Sequence, residues 1–247
     1  MTRIISRRDI LRRTAFITAG AAVGSQLLGT PGYAASKNPD PNVVREAIQK
    51  AQNRSERVLT GIPSKNGWEM EKVVDDHGNI YTRPVPGTPL DGVAMRMGDI
   101  ETVLVHLVCR FHYEIDELRK GDVVGWRSPG SVRKGLPESN LASGTAVAIR
   151  SGGYPLGVRG GFFPHQEAVV RDILAECEGV IRWGGDDKTP HEALFYIDVP
   201  PGNPQLAKVA DKFRSWNYTP GRAGVLIDPH QPGRRKAAQD LLRRQRP

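Results

Sequence analysis

The segment "DIETVLVHLVCRFHYEIDEL", residues 99–118, constrains the fold more than any other. Apolar side chains recur at Val103, Leu104, Leu107, Val108 and Phe111, which is the spacing of one face of an α-helix. A face that apolar has to be buried against other elements, so this helix predicts a packed core. Asp99 is the expected N-cap. A second core helix is expected in "HQEAVVRDILAECEG", with Pro164 before it and Gly179 as its stop. "NPQLAKVADKFRSWN" reads as a further helix, the basic tail as another, and "NPDPNVVREAIQKAQNRSERVLTG" as an N-terminal one.

Short strands are expected in "TAVAIRS", "VIRWGG" and "ALFYIDVPP", and a loop or short strand in "GDVVGWRSP". Asp76-His77-Gly78-Asn79 reads as the turn of a hairpin between two flanking short strands. Helices alternating with a few strands, with no internal repeat, give an α+β class.

The first residues carry a different signal. Ser6-Arg7-Arg8 followed by Ile10-Leu11 is a twin-arginine pattern, and Gly32-Tyr33-Ala34 offers small residues at the −3 and −1 positions of a signal-peptidase site. Residues 1–34 are therefore expected to be an export signal, and the mature chain to be secreted or extracytoplasmic. The apolar run is too short and too rich in Gly, Ala and Thr to remain as a membrane anchor, so no membrane insertion is expected after cleavage.

Charge and composition narrow the partners. The formal charge is +8, but residues 1–34 hold five arginines against Asp9, so the mature part carries +4. Much of that sits at Arg234, Arg235, Lys236, Arg243, Arg244 and Arg246. A solvated basic helix is expected there, with contact to an anionic cell wall as the alternative. Aromatics make up only 6% of the chain, which gives little support to base stacking, and no nucleic-acid partner is expected. Cys109 and Cys177 each lie in an apolar helical pattern. In an exported protein they read equally as a disulfide or as two buried free thiols.

Three blocks carry a resemblance: "ESNLASGTAVAI", "YPLG…VIRWGGD" and "HEALFYIDVPPG". In spacing and order, from about Gly121 to Asn217, they resemble the VanY-like D-Ala-D-Ala carboxypeptidase family of zinc peptidases. The resemblance implies a small antiparallel sheet with packed helices, like the Hedgehog-like zinc peptidase fold. It also implies the domain plan: an N-terminal helix and hairpin extension over 35–98, the peptidase-fold domain over 99–220, and a basic tail over 221–247.

The family's first pattern is Ser-x-His-x-x-Gly-x-Ala-x-Asp. Ser139, Gly144 and Ala146 match it, but Leu141 stands in the His place and Ala148 in the Asp place. In the second pattern Leu194 replaces the final His, and His191 takes the acidic place. Those four positions supply the family's three zinc ligands and its general base. A catalytic zinc needs nitrogen, oxygen or sulfur donors, and leucine and alanine have none. No cofactor is therefore expected, and the three former metal positions Leu141, Ala148 and Leu194 are expected to cluster as packing residues.

The function implied is that of a degenerate relative that binds a peptide or peptidoglycan stem without metal-dependent hydrolysis. The first alternative is a metal-free enzyme in the same groove, with His191 and Glu192 as catalytic residues and Ser139 or Ser143 as nucleophile. The second is an active zinc peptidase, for which His165, Asp186, Asp187, His191 and Glu192 offer a relocated ligand set. Arg127, Ser139, Asn140, Ser143 and Trp183 are the expected substrate-binding residues. Arg127 and Arg133 suit a peptide carboxylate, and Trp126 and Trp183 suit a groove wall.

Overall fold

The protein is described by a computed structural model over residues 41–219 and 228–245. The export signal expected in residues 1–34 lies outside the described residues. Of the described residues, those up to Gln49 fall in one unit and those from Lys50 onward in another. Helix α1, Pro41–Val58, spans that division.

The core of the second unit is a four-stranded antiparallel sheet. Its strands are β5 (Val123–Val124), β6 (Ala146–Ile149), β7 (Ile181–Trp183) and β8 (Leu194–Ile197), in the order β5-β6-β8-β7. β6 reads Ala-Val-Ala-Ile and β8 reads Leu-Phe-Tyr-Ile, and all eight residues are buried. Apolar side chains on both faces are what a strand covered on both sides requires.

One face carries Val147, Ile149, Phe195, Ile197, Ile181 and Trp183 into the main core. That core is closed by α2 (Asp99–Glu114), α3 (Pro164–Glu176) and α4 (Pro204–Tyr218). The α2 stripe is buried as its periodicity demands, at Ile100, Val103, Leu104, Leu107, Val108 and Phe111. The other sheet face is smaller: Ala146, Ala148, Leu194 and Tyr196 meet Met70, Val132, Leu141 and Ala142. An α+β arrangement of helices on a small antiparallel sheet is thus present. Among the described residues, no helix is long and apolar enough to cross a membrane.

Several local expectations are corrected. Gly98, at φ 91°, occupies the N-cap of α2 and makes no side-chain cap. The Asp99 carboxylate instead accepts from the Arg214 guanidinium at 2.6 Å. The strands flanking the Asp76–Asn79 turn do not pair with each other. β2 (Glu69–Glu71) pairs with β1 (Leu59–Pro63), and β3 (Ile80–Arg83) pairs with β4 (Val93–Arg96). The cause is Glu71, whose fully buried carboxylate accepts the backbone N–H of Asn79 at 2.9 Å and of Ile80 at 3.3 Å. Residues 72–79 therefore wrap around a carboxylate instead of forming a two-stranded ribbon.

No boundary falls at 98/99, so the 35–98 extension is corrected as well. The Glu71 N–H bonds the Ala142 carbonyl at 3.0 Å, the Arg96 N–H bonds Gly144 at 2.8 Å, and the Trp126 N–H bonds Ala94 at 2.7 Å. Arg96 also donates to the Ser143 carbonyl, the Glu69 carbonyl and the Glu71 carboxylate. Burial lowers its pKa against the opposing pull of Glu71. One arginine thereby joins both hairpins to the sheet.

Both cysteines are free thiols. Cys177 is fully buried, and burial pushes its pKa up strongly. Cys109 is half-buried with its thiol 3.5 Å from the Pro86 carbonyl, and burial pushes its pKa up to about 11. Neither is a reactive thiolate at neutral pH.

The basic tail folds as α5, Pro232–Gln245. Arg234 forks onto Asp172 through two 2.6 Å bonds and reaches Glu176 at 3.0 Å. Arg110 and His106 of α2 meet the same Glu176, at 3.0 and 2.8 Å. Burial raises the pKa of Glu176, but His106, Arg110 and Arg234 outweigh it and hold the group at about 2. A folded pKa below the unfolded one gives stability that is complete above the ordinary value of 4.5 and fades as pH falls towards 2. Glu176→Gln should therefore cost on the order of 3 kcal/mol in urea unfolding at pH 7, because it leaves buried cations short of a partner. It should also flatten the loss of stability between pH 4.5 and pH 2. An unchanged midpoint at pH 7 would contradict this role.

Candidate functional site

The stretch Pro137–Leu141 forms a single turn of 3₁₀ helix that leads through Ala142–Thr145 into β6. Ser139 and Asn140, with Ser143 and Thr145 after them, face inward. Ser139 Oγ donates to the Leu136 carbonyl at 2.7 Å and accepts the Lys65 N–H at 2.9 Å. Asn140 Oδ1 accepts the Asn66 N–H at 3.1 Å. Ser143 Oγ donates to the Asn140 carbonyl at 3.0 Å and lies 2.8 Å from both Ser64 Oγ and Thr145 Oγ1. Asn66 Nδ2 donates to Thr145 Oγ1 and to the Ile197 carbonyl. This network fastens the Ser64–Trp68 turn to the sheet.

Ser139, Asn140 and Ser143 are all 0% exposed. Their assignment as substrate-binding residues is corrected for the two serines, whose buried hydroxyls are taken up by hydrogen bonds within the fold; Asn140 is held by its Oδ1, while its buried Nδ2 has no partner among the described residues. Among the described residues, no histidine or carboxylate is a hydrogen-bond partner of either serine. Gly144 sits at φ 66°, and a Cβ there would lie 2.8 Å from the Arg96 nitrogen. Glycine is needed for that close approach.

Leu141, Ala148 and Leu194 lie together in the smaller core, 2%, 1% and 1% exposed. Ala148 and Leu194 are direct partners across the β6–β8 pair. The residues around them are Met70, Val132, Ala142, Ala146 and Tyr196. This environment does not fit zinc: the three positions offer no donor atom, and their neighbours are chiefly apolar. Among the described residues, no group of three or more His, Cys, Asp or Glu is arranged to hold a metal ion. Asp186 is forked by Arg171, and Asp187 accepts the Tyr196 hydroxyl at 2.8 Å.

The chemistry-bearing side chains gather at the rim of this cluster. His191 sits in a tight turn, its N–H on the Gly184 carbonyl at 2.9 Å and its carbonyl accepting from Leu194 at 2.9 Å. A Cβ on Gly184 would come within 2.6 Å of the His191 oxygen, so the turn needs glycine there. His191 is half-buried. Burial lowers its pKa from 6.5, as do Arg127 and Arg133, while Glu138 opposes them. The ring is neutral at neutral pH and able to accept a proton.

Arg133 and Glu138 form a fork of 2.7 and 2.9 Å, which holds Glu138 below the usual carboxylate range. Arg133 is thereby engaged. Arg127 is exposed and makes no ion pair among the described residues, so of the two arginines it is the one available to a ligand carboxylate. The neighbouring loop is set against the His191 turn by the Gly157 N–H on the Pro190 carbonyl at 2.7 Å. That loop lines a cavity of about 440 Å³ with Asp122, Arg150 and Tyr154.

Two further expectations are corrected. Glu192 is buried and spends both oxygens on backbone amides, of Gly160 at 2.7 Å and Gly161 at 2.8 Å. It shapes the loop and does not pair with His191. Trp183 is buried in the main core, with Nε1 donating to the Glu192 carbonyl and the Arg171 guanidinium 4.8 Å from the ring centre. It is no groove wall. Trp126 is half-buried and donates to the Glu71 carbonyl.

Glu138 is the residue sequence reasoning passed over. It is the sole carboxylate between Asp122 and Glu167, which was the available signal. Comparison with protein-family models, with curated proteins and with solved structures found no match to this chain.

An NMR titration of the His191 ring should give a midpoint below 6.5. Glu138→Gln should lower it further and Arg127→Gln should raise it. A wild-type midpoint above 6.5 would contradict this electrostatic arrangement.

Proposed function

We propose that this chain is an exported, metal-free relative of the VanY-like D-Ala-D-Ala carboxypeptidases that binds a peptide or peptidoglycan stem without hydrolysing it. One observation carries the reading. The three positions where the resemblance places zinc ligands, Leu141, Ala148 and Leu194, lie in one buried apolar cluster. Burying two leucine side chains there gains roughly 1.5–3 kcal/mol each, whereas a zinc site would need charged donors in the same space.

The rim supports binding over catalysis. Arg127 offers an unpaired guanidinium beside the half-buried His191, a pairing suited to a carboxylate-bearing ligand. The metal-free enzyme is the second reading, and the neutral imidazole of His191 near Glu138 favours it. It lacks a nucleophile, since Ser139 and Ser143 are enclosed.

The test is calorimetric titration of the purified protein with a peptide ending in D-Ala-D-Ala, with free D-Ala measured in the same samples. Binding without D-Ala release is expected. Arg127→Gln should weaken it by about tenfold, the loss of one charge-assisted hydrogen bond. Absence of binding would remove the stem as ligand, and D-Ala release by the wild-type protein would restore an enzyme.

A further inference from the structure

Helix α5 is docked by one side only. Arg234, Leu241 and Gln245 face the protein: Arg234 on Asp172 and Glu176, Leu241 buried, and Gln245 donating to the Ile181 carbonyl at 3.0 Å. At 100° per residue the opposite side is centred on Lys236 and Arg243, seven residues and about 10 Å apart along the axis. Arg235 and Arg244 flank that line, one on each side. All four are exposed. Arg243 is paired with Asp240 at 2.5 Å. Arg235, Lys236 and Arg244 make no ion pair among the described residues.

This distribution works against the helix. The first turn contains no acidic residue and carries Arg234 and Arg235, with Lys236 directly after it. Cations there repel the positive end of the helix dipole, where stability would favour Asp or Glu. Arg234 is compensated by its buried carboxylates. Arg235 and Lys236 are compensated by nothing in the described fold, and an external anion would relieve both.

We propose that the outward face of α5 is a docking surface for an extended polymer of phosphate groups. Several cations spread along and around one helix match consecutive charges of a chain better than a single phosphate. Arginine forks suit phosphate oxygens. The helix is already fixed by Arg234, so little ordering opposes binding.

Two other polyanions fit less well. A membrane-surface helix inserts a large apolar face, and here the buried Leu241 is turned to the protein. A single-stranded nucleic acid is held by aromatic stacking as well as charge, and Pro232–Gln245 contains no aromatic residue. The inference is independent of the peptide-binding reading and uses none of its residues.

The experiment measures binding of the full chain to long-chain inorganic polyphosphate at 50 and 200 mM NaCl. Release of counterions from about three contacts gives a slope near −2 in log K against log salt, hence roughly 16-fold weaker binding at the higher salt. The triple variant Arg235→Gln/Lys236→Gln/Arg244→Gln should keep the wild-type thermal midpoint, bind at least about tenfold more weakly at 50 mM, and lose most of the slope. No binding by the wild-type protein, or equal binding by the triple variant, would overturn the proposal. So would tighter binding to phosphatidylglycerol vesicles or to an oligothymidylate of equal charge, which would make the face a membrane or a nucleic-acid surface.

Discussion

The pairing of β6 with β8 organises everything packed around the sheet. It sets Ala148 opposite Leu194 and Val147 opposite Phe195. Because strand side chains alternate, this register divides the sheet into two apolar faces at once. The larger face receives α2, α3 and α4. The smaller receives Leu141, Ala142, Met70 and Val132. A slip of one residue would turn Phe195 into the small pocket and Leu194 into the helical layer. The register that holds the fold together thus also fills with carbon the place where the resemblance puts an ion.

Around that sheet, three polar clamps do what packing alone cannot. Arg96 with Glu71 ties the two hairpins to the turn before β6. Arg110 with Asp172 and Glu176 joins α2 to α3, and Arg234 extends the same cluster to α5. The Ser64–Asn66–Ser143–Thr145 network anchors the first hairpin turn. Buried charges of this kind cost desolvation and are retained where every partner is satisfied. At the rim, separately, Arg133 is spent on Glu138 and Glu192 on a loop backbone, while Arg127 and His191 make no ion pair among the described residues.

What the sequence made legible follows from how local each signal is. The helices α2, α3 and α4 and the strands β6, β7 and β8 are written in periodicities a few residues long, and they stand where the pattern put them. The roles of Ser139, Asn140 and Ser143 are set by Lys65, Asn66 and Ser64, some 74–79 residues away in the chain, which no local pattern reports. The hairpin between β2 and β3 failed because a single buried carboxylate, Glu71, organised the intervening residues. Trp183 and Glu192 neighbour motif positions in the sequence, and that proximity alone suggests a groove. Strand alternation sends Trp183 to the core, and the amides of Gly160 and Gly161 claim Glu192. The apolar character of Leu141, Ala148 and Leu194 was plain in the sequence, and the structure adds that they touch a common cluster.

A cluster of this composition leaves no place for a catalytic ion. The most direct test equilibrates the purified protein with one equivalent of zinc, removes unbound metal by gel filtration, and measures both zinc content and the thermal midpoint with and without chelator. A ligand bound only by the folded state would raise the midpoint. No stoichiometric zinc and a midpoint indifferent to chelator are expected. One retained zinc per chain, with a midpoint lowered by chelator, would contradict that expectation.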